Sequence, residues 1–211
     1  MKEFIWSAIS VIVFLIIVTF MFMGIANSKE IDFSVTGSLA YNHGSLGSGL
    51  FPAPGTKKDN WWGFSGSGQI KYSRWKLQPI FEVSYRKEKY DFSDWQAPVQ
   101  KCEPSYLSFR GGAGYDFSPY PYFYLLIGGS FINYHVSIIE RYPPLYHGRD
   151  IGFRETLLNF KVGTYRLWGV GPIKMGPELA MEIYPNGLGW HRCRTFKVNP
   201  ISPMLGLRVQ Y

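Results

Sequence analysis

The sequence predicts an all-β fold, namely an eight-stranded antiparallel up-and-down β-barrel that crosses a membrane and is preceded by a signal peptide. Three observations predict it. Eight runs of alternating apolar and polar residues follow residue 30, and short and long connections alternate between them. Aromatic residues make up 18% of the chain, yet the mean hydropathy is −0.08. Helical membrane spans would raise that average, whereas a barrel strand turns only every second residue to lipid.

The first segment of the chain is a long apolar run without charge, residues 4–26. Ala26 and Ser28 are small residues at the −3 and −1 positions of a cut after Ser28, which is typical of a signal peptidase site. We therefore expect a signal peptide at 1–28 and a barrel at 29–211. The run is longer than a usual signal core, so an uncleaved membrane anchor is the alternative.

The rest of the chain has the two-residue period of strands with unlike faces. In one run, Leu107 and Phe109 share a face while Ser108 and Arg110 share the other. No convincing helical period appears after residue 30. The predicted strands are 31–42, 61–74, 77–91, 106–117, 121–140, 154–168, 173–184 and 200–211.

The connections between these runs differ in length in a regular way. Three are short (75–76, 118–120 and 169–172), and four are long (43–60, 92–105, 141–153 and 185–199). Short turns at one end and longer loops at the other are typical of barrels that cross a membrane. An even number of strands puts both termini of the barrel at the end with the short turns.

The polar faces of the strands carry charges of both signs beside Gly and Ser. The cations are Lys71, Arg86, Arg110, Lys161 and Arg208, and the anions are Asp32, Glu82, Asp116, Glu178 and Glu182. A small soluble barrel fills its interior with apolar side chains instead. Because unpaired charges in a narrow lumen are costly, we expect an ion-pair network there. The alternatives are a gated pore and the solvated faces of a soluble β-sandwich.

The C-terminus carries a pattern that points to a family. Leu205, Leu207, Val209 and the terminal Tyr211 occupy every second position. This resembles the signal that outer-membrane barrels present to the barrel-assembly machinery, and the segment 111–117 (GGAGYDF) resembles strands of the OmpA/OmpX/OmpW-type small barrels. The resemblance implies a place in the cell outer membrane. It also implies periplasmic chaperones and the assembly machinery as partners during biogenesis.

The formal net charge of +7 favours an anionic partner. No nucleic-acid motif is found, so a lipid surface is preferred and no nucleic acid is expected. Arginine forks match phosphate oxygens. In or beside the long connections, the predicted lipopolysaccharide contacts are Lys57, Lys58, Arg141, Arg149, Arg154, Arg192, Arg194 and Lys197. The alternative is an ordinary solvated loop.

The pair His135 and Ser137 resembles the His-x-Ser element of outer-membrane lipid A deacylases. In that family the serine is the nucleophile, the histidine its base, and an acid orients the histidine. Glu140 and Asp150 are the candidate acids. The family pattern continues with Asn, where this chain has Ile138. A polar pair at the end of a strand is therefore the preferred interpretation.

The two cysteines, Cys102 and Cys193, fall in different long connections. Export would place them in an oxidising compartment, so a disulfide clipping two loops is predicted, with two free thiols as the alternative. His43 and His147 lack ligand spacing, and no cofactor or metal is expected.

These observations favour a non-enzymatic outer-membrane barrel with a charge-paired lumen and with basic external loops that contact lipopolysaccharide. A narrow channel or transporter for small solutes is one alternative. A lipid A-modifying hydrolase that uses His135 and Ser137 is the other.

Overall fold

The computed structural model describes nine stretches of the chain and one isolated residue. They are residues 13, 30–46, 58–91, 99–117, 121–142, 145–169, 172–185, 188–189, 196–198 and 201–211. Side chains are not described at 42–46, 58–62, 90–91, 99–102, 136–142, 145–151, 153, 188–189 and 196–198. Apart from Val13, the expected signal peptide lies outside the described residues. In this part of the chain, no helix is long and apolar enough to cross a membrane.

Eight strands form one closed antiparallel sheet, which confirms the predicted fold. They are β1 (Ile31–Leu46), β2 (Lys58–Tyr72), β3 (Leu77–Glu88), β4 (Val99–Asp116), β5 (Tyr122–Tyr142), β6 (Leu145–Tyr165), β7 (Lys174–Ile183) and β8 (Ile201–Gln210). Each strand pairs with its neighbours in the chain. The pairing of β8 with β1, with Leu39 opposite Leu205, closes the barrel. Closure leaves no sheet edge along the wall.

Short strands lie near the ends of two long connections. Tyr90–Asp91 pairs with β4, while Phe196–Val198 pairs with both β1 and Leu188–Gly189. Leu188–Gly189 and Phe196–Val198 extend the sheet beyond the strands predicted from side-chain alternation, whereas Tyr90–Asp91 lies within the predicted strand 77–91.

The third long connection was predicted wrongly. Residues 141–153 are almost entirely strand, because β5 runs to Tyr142, β6 begins at Leu145, and these two residues are cross-strand partners. β4 likewise begins at Val99 rather than at residue 106. Backbone pairing satisfies N–H and C=O groups whatever the side chains are, so a hairpin can continue beyond the alternating pattern.

Glycines inside the barrel make room for tyrosine rings. A Cβ at Gly114 would lie 2.2 Å from the hydroxyl oxygen of Tyr122, and one at Gly163 would lie 2.3 Å from that of Tyr124. The ring of Tyr122 stacks on that of Tyr165, with centroids 4.7 Å apart. The lumen near the short turns is therefore filled by rings that only glycine neighbours admit.

The two faces of the wall are reversed relative to a soluble barrel. Large apolar side chains such as Leu125 and Ile127 are exposed outside, at 58% and 49%. Most buried positions in the described residues are polar, including Ser65, Ser67, Gln69 and Asn159. An apolar outer band around a polar interior is the arrangement of a barrel that lies in a bilayer.

Candidate functional site

The lumen holds a balanced set of buried charges. Among the described residues, the buried charged side chains are four cations and four anions: Arg86, Arg110, Lys161, Arg208, Glu82, Glu88, Glu178 and Glu182. Alternation along the strands points all of them inward. Seven of them are members of the predicted network, and Glu88 is an addition.

Arg110 is the centre of this network. Its Nη1 donates to Glu82 Oε1 at 2.6 Å and its Nη2 donates to Glu182 Oε1 at 2.7 Å. Its Nε donates to Asn159 Oδ1 at 2.8 Å. The other oxygen of Glu82 accepts a hydrogen bond from Lys161 Nζ at 2.7 Å. Most of the donors of this guanidinium group therefore have a partner, which is the condition for burying it.

Arg86 extends the network toward the long loops. It lies 2.9 Å from Glu182 and 3.1 Å from Glu88, and its guanidinium carbon lies 4.1 Å from the ring centroid of Tyr106. Tyr184 also accepts from Arg86, at 3.3 Å. Sequence alternation identified the arginine but not the rings, because a cation–π contact depends on which strands meet across the lumen.

Arg208 and Glu178 extend the network toward the short turns. Arg208 Nη1 lies 3.3 Å from Glu178, and its Nη2 donates to Ser34 at 2.9 Å and also to Gln69. The hydroxyl of Tyr124 donates to Glu178 at 2.6 Å. Side chains of five strands, namely β1, β2, β5, β7 and β8, thus meet at this one ion pair.

Three predicted members of the network lie at the mouth of the barrel instead. Lys71 pairs with Asp32 at 3.1 Å, and its ammonium lies 4.7 Å from the ring centroid of Tyr122. Asp116 lines the same cavity of about 640 Å³. This cavity, named here the turn-side vestibule, opens at the short-turn end and reaches inward to Tyr165.

A second cavity lies on the outside of the wall. It measures about 740 Å³ and is lined mainly by outward-facing polar side chains at the loop end of β3, β4, β5 and β6. This cavity, named here the wall groove, is defined by Lys87, Glu103, Ser105, Asn133, His135 and Arg154. Apart from His135 and Arg154, these residues did not stand out in the sequence, because polar residues on the outward face look like strand ends.

The catalytic candidates are partly outside the described side chains. His135 is exposed on the wall groove, and Glu103 and Gly152 are its cross-strand partners. The backbone of Ser137 pairs with that of Asp150, while Glu140 pairs with His147. Nothing is described of the side chains of Ser137, Asp150 and Glu140. No group of three metal-ligating side chains occurs among the described ones.

The remaining predicted residues fall into two groups. Leu205, Leu207, Val209 and Tyr211 face outward and are exposed. For Lys58, Cys102, Arg141, Arg149 and Lys197 the backbone alone is described, as strand. Lys57, Arg192, Cys193 and Arg194 lie outside the described residues, so the disulfide and most of the loop contacts stay predictions.

Solved structures similar to this chain include small outer-membrane barrels. Ail, the attachment invasion locus protein of Yersinia pestis, is 15% identical and has a TM-score of 0.52, covering 86% of this chain and 99% of its own. Ail in complex with the heparin analogue sucrose octasulfate is 14% identical over the same shares, with a TM-score of 0.49. Neisserial surface protein A is 19% identical, with a TM-score of 0.40, over 84% of this chain and 95% of its own.

No protein-family model and no curated protein sequence matches the chain. The fold is that of the small eight-stranded outer-membrane barrels. A closed barrel of this fold, with an apolar outer band and a polar interior, is built to lie in a bilayer.

Proposed function

We propose that this protein is a closed, non-enzymatic outer-membrane barrel that acts through its surfaces and contacts lipopolysaccharide. The observation that carries the proposal is the buried set of four cations and four anions, which spans the lumen from Arg86 to Arg208. An eight-stranded barrel has an interior just wide enough for side chains to fill. A neutral, hydrogen-bonded filling leaves no continuous aqueous path for ions.

Conductance in planar bilayers tests the closed lumen. The purified barrel is inserted after a heat-dependent shift in gel mobility has verified its folding, and an open porin serves as the positive control. We expect no stable single-channel steps from this protein. Reproducible steps of constant size from the folded barrel would contradict a closed lumen.

The lipopolysaccharide part of the proposal rests on charge and topology. The net charge is +7, while the buried charges of the described lumen cancel, so the excess lies elsewhere. Long connections rich in Lys and Arg at one end of the barrel would meet the phosphates of the outer leaflet. The predicted contacts are Lys57, Lys58, Arg141, Arg149, Arg192, Arg194 and Lys197.

The C-terminal pattern supports recognition by the barrel-assembly machinery. Leu205 and Leu207 are each 57% exposed and Tyr211 is 61% exposed, so these side chains are accessible from outside the wall. Periplasmic chaperones would hold the unfolded chain before that step.

A channel for small solutes is a second candidate function, and the turn-side vestibule favours it. Within the described part of the chain, the hydroxyl of Tyr122 and Oε1 of Gln78 are buried without a hydrogen-bond partner, and both residues line this cavity. Water or a small polar solute would satisfy them. The conductance experiment decides between this candidate and the closed barrel.

A lipid A hydrolase is the third candidate, and strand register favours it. Cross-strand pairing makes Glu103 the backbone partner of His135 and Asp150 the backbone partner of Ser137. The test is the mass of lipid A from cells that overproduce the protein. Loss of an acyl chain that depends on Ser137, and is absent with Ser137→Ala, would support hydrolysis, whereas an unchanged lipid A profile would remove this candidate.

A further inference from the structure

Two of the described side chains that line the wall groove are permanent cations. Lys87 and Arg154 face outward, and within the described part of the chain neither forms an ion pair. Register joins them through one row of cross-strand partners, from Lys87 to Ser105, then Asn133, then Arg154. Glu103 and His135 occupy the adjacent row, so one carboxylate faces two permanent positive charges.

This row lies where the apolar wall ends. One outward position nearer the short turns, Leu107 and Phe131 are exposed and oppose one another. The row is about ten strand residues from the short turns, which at a tilt of about 40° is roughly 25 Å along the membrane normal. That distance matches the height of the apolar band of an outer-membrane barrel. The cations therefore lie at the level of the lipid headgroups on the loop side.

Among the strands whose side chains are described at this depth, the polar row is confined to β3, β4, β5 and β6. At similar distances along the other strands so described, the outward residues are Tyr41 on β1, Ile183 on β7 and Ile201 on β8. Contact with lipid headgroups all around the barrel would not require polar residues on one side alone. Two cations in a depression, without an ion pair among the described residues and beside apolar side chains, favour one bound amphiphile with an anionic head.

We propose that the wall groove binds the phosphorylated headgroup of a single lipopolysaccharide molecule. Lys87 and Arg154 pair with its phosphates, while Ser105, Asn133 and Glu103 hydrogen-bond to its sugar hydroxyls. Its acyl chains run down the wall against Leu107 and Phe131. This inference rests on the proposed contact with lipopolysaccharide, but it locates a specific site on the wall instead of the loops.

The test is the binding of defined lipids to the folded barrel in detergent micelles, which native mass spectrometry measures. The probes are bisphosphorylated lipid A, lipid A without phosphates, and phosphatidylglycerol. We expect the bisphosphorylated form to bind at least about tenfold more tightly than either of the others, since each charge-assisted contact contributes on the order of a tenfold gain. Equal binding of all three lipids would overturn the site.

Two variants locate the binding. The double variant Lys87→Gln with Arg154→Gln is expected to weaken binding of bisphosphorylated lipid A by about tenfold or more. Asn133→Asp keeps the side chain nearly the same size but puts a carboxylate in the row, so it is also expected to weaken binding of bisphosphorylated lipid A. The matched control is Lys76→Gln with Lys174→Gln, which removes two exposed charges at the short-turn end. It is expected to leave binding within about twofold. A heat-dependent mobility shift verifies folding of each variant.

The outcomes separate this site from the broader proposal. If the native barrel binds bisphosphorylated lipid A preferentially but Lys87→Gln with Arg154→Gln binds it equally well, the wall site is wrong and the loop contacts remain. If the native barrel shows no preference for lipid A, both the proposed contact with lipopolysaccharide and the wall site are wrong.

Discussion

At the scale of single residues, the barrel depends on charges that are buried in pairs. Arg110 and Glu82 are fully enclosed and 2.6 Å apart, whereas Arg74 and Glu30 are 3.2 Å apart, with Arg74 largely and Glu30 partly in solvent. The attraction in the lumen offsets the loss of hydration only while both partners are present. Removing one partner there leaves a buried charge, and removing one at the surface leaves a hydrated charge.

The variant Arg110→Leu is therefore expected to lower the free energy of unfolding by about 3–5 kcal/mol. Glu82 and Glu182 each lose their closest cationic partner in that variant. The measurement is denaturant unfolding of the folded barrel in micelles, with Arg74→Leu as the exposed control, expected to cost below about 1 kcal/mol. Similar losses from the two variants would contradict an energetically significant lumen network.

At the scale of the strand, two adjacent glycines of β5 have opposite surroundings. A Cβ at Gly128 would lie 1.9 Å from the backbone oxygen of Phe109 on β4, while a Cβ at Gly129 would meet nothing within 4 Å. Gly112 on β4 is similarly crowded, 2.1 Å from the backbone oxygen of Leu125, beside the open Gly111. The close approach of β4 and β5 therefore depends on the inward glycine of each pair.

Gly128→Ala is expected to destabilise the barrel by about 1–3 kcal/mol, because backbone atoms must move to admit the methyl group. Gly129→Ala is the matched control. It is expected to be neutral or slightly stabilising, since alanine restricts the unfolded chain. Unfolding free energies from the same denaturant titration compare them, and an equal effect of both substitutions would rule out the close approach as the cause.

At the scale of the whole molecule, the residues of the apolar outer band lie at different depths in the bilayer. Ile127 lies a few residues into β5 and Leu77 begins β3 at the short-turn end, and both are largely exposed on the wall. A charge placed on the lipid-facing wall costs most at the bilayer midplane and least at the interfaces. The depth of the position in the bilayer, rather than its exposure, is therefore expected to determine how much an arginine substitution lowers the free energy of unfolding.

Ile127→Arg is expected to cost about 2–4 kcal/mol and Leu77→Arg about 0–1 kcal/mol in a bilayer. The measurement is the unfolding free energy of each variant in phospholipid vesicles. In a soluble barrel both exposed positions would tolerate arginine, so two small and equal effects would contradict a membrane-embedded wall.

Much of the fold could be predicted from the sequence because a strand has a period of two and a membrane barrel faces two different media. Leu107 and Phe109 outside, with Ser108 and Arg110 inside, follow directly from that alternation. The charges of the lumen were identifiable for the same reason. The alternation could not locate the ends of β5 and β6, since backbone pairing continues where neither face is apolar.

By itself, then, the sequence determined the strands, their number, and which face of each carries the charges. Only the tertiary structure decided which charges meet, because Arg208 reaches Ser34 and Gln69 through closure of the sheet and not through proximity in the chain. Register likewise brought Lys87 and Arg154 into one row and left Asp32, Lys71 and Asp116 at the mouth. A local pattern sets the direction of a side chain, whereas its partners depend on how the strands are staggered around the barrel.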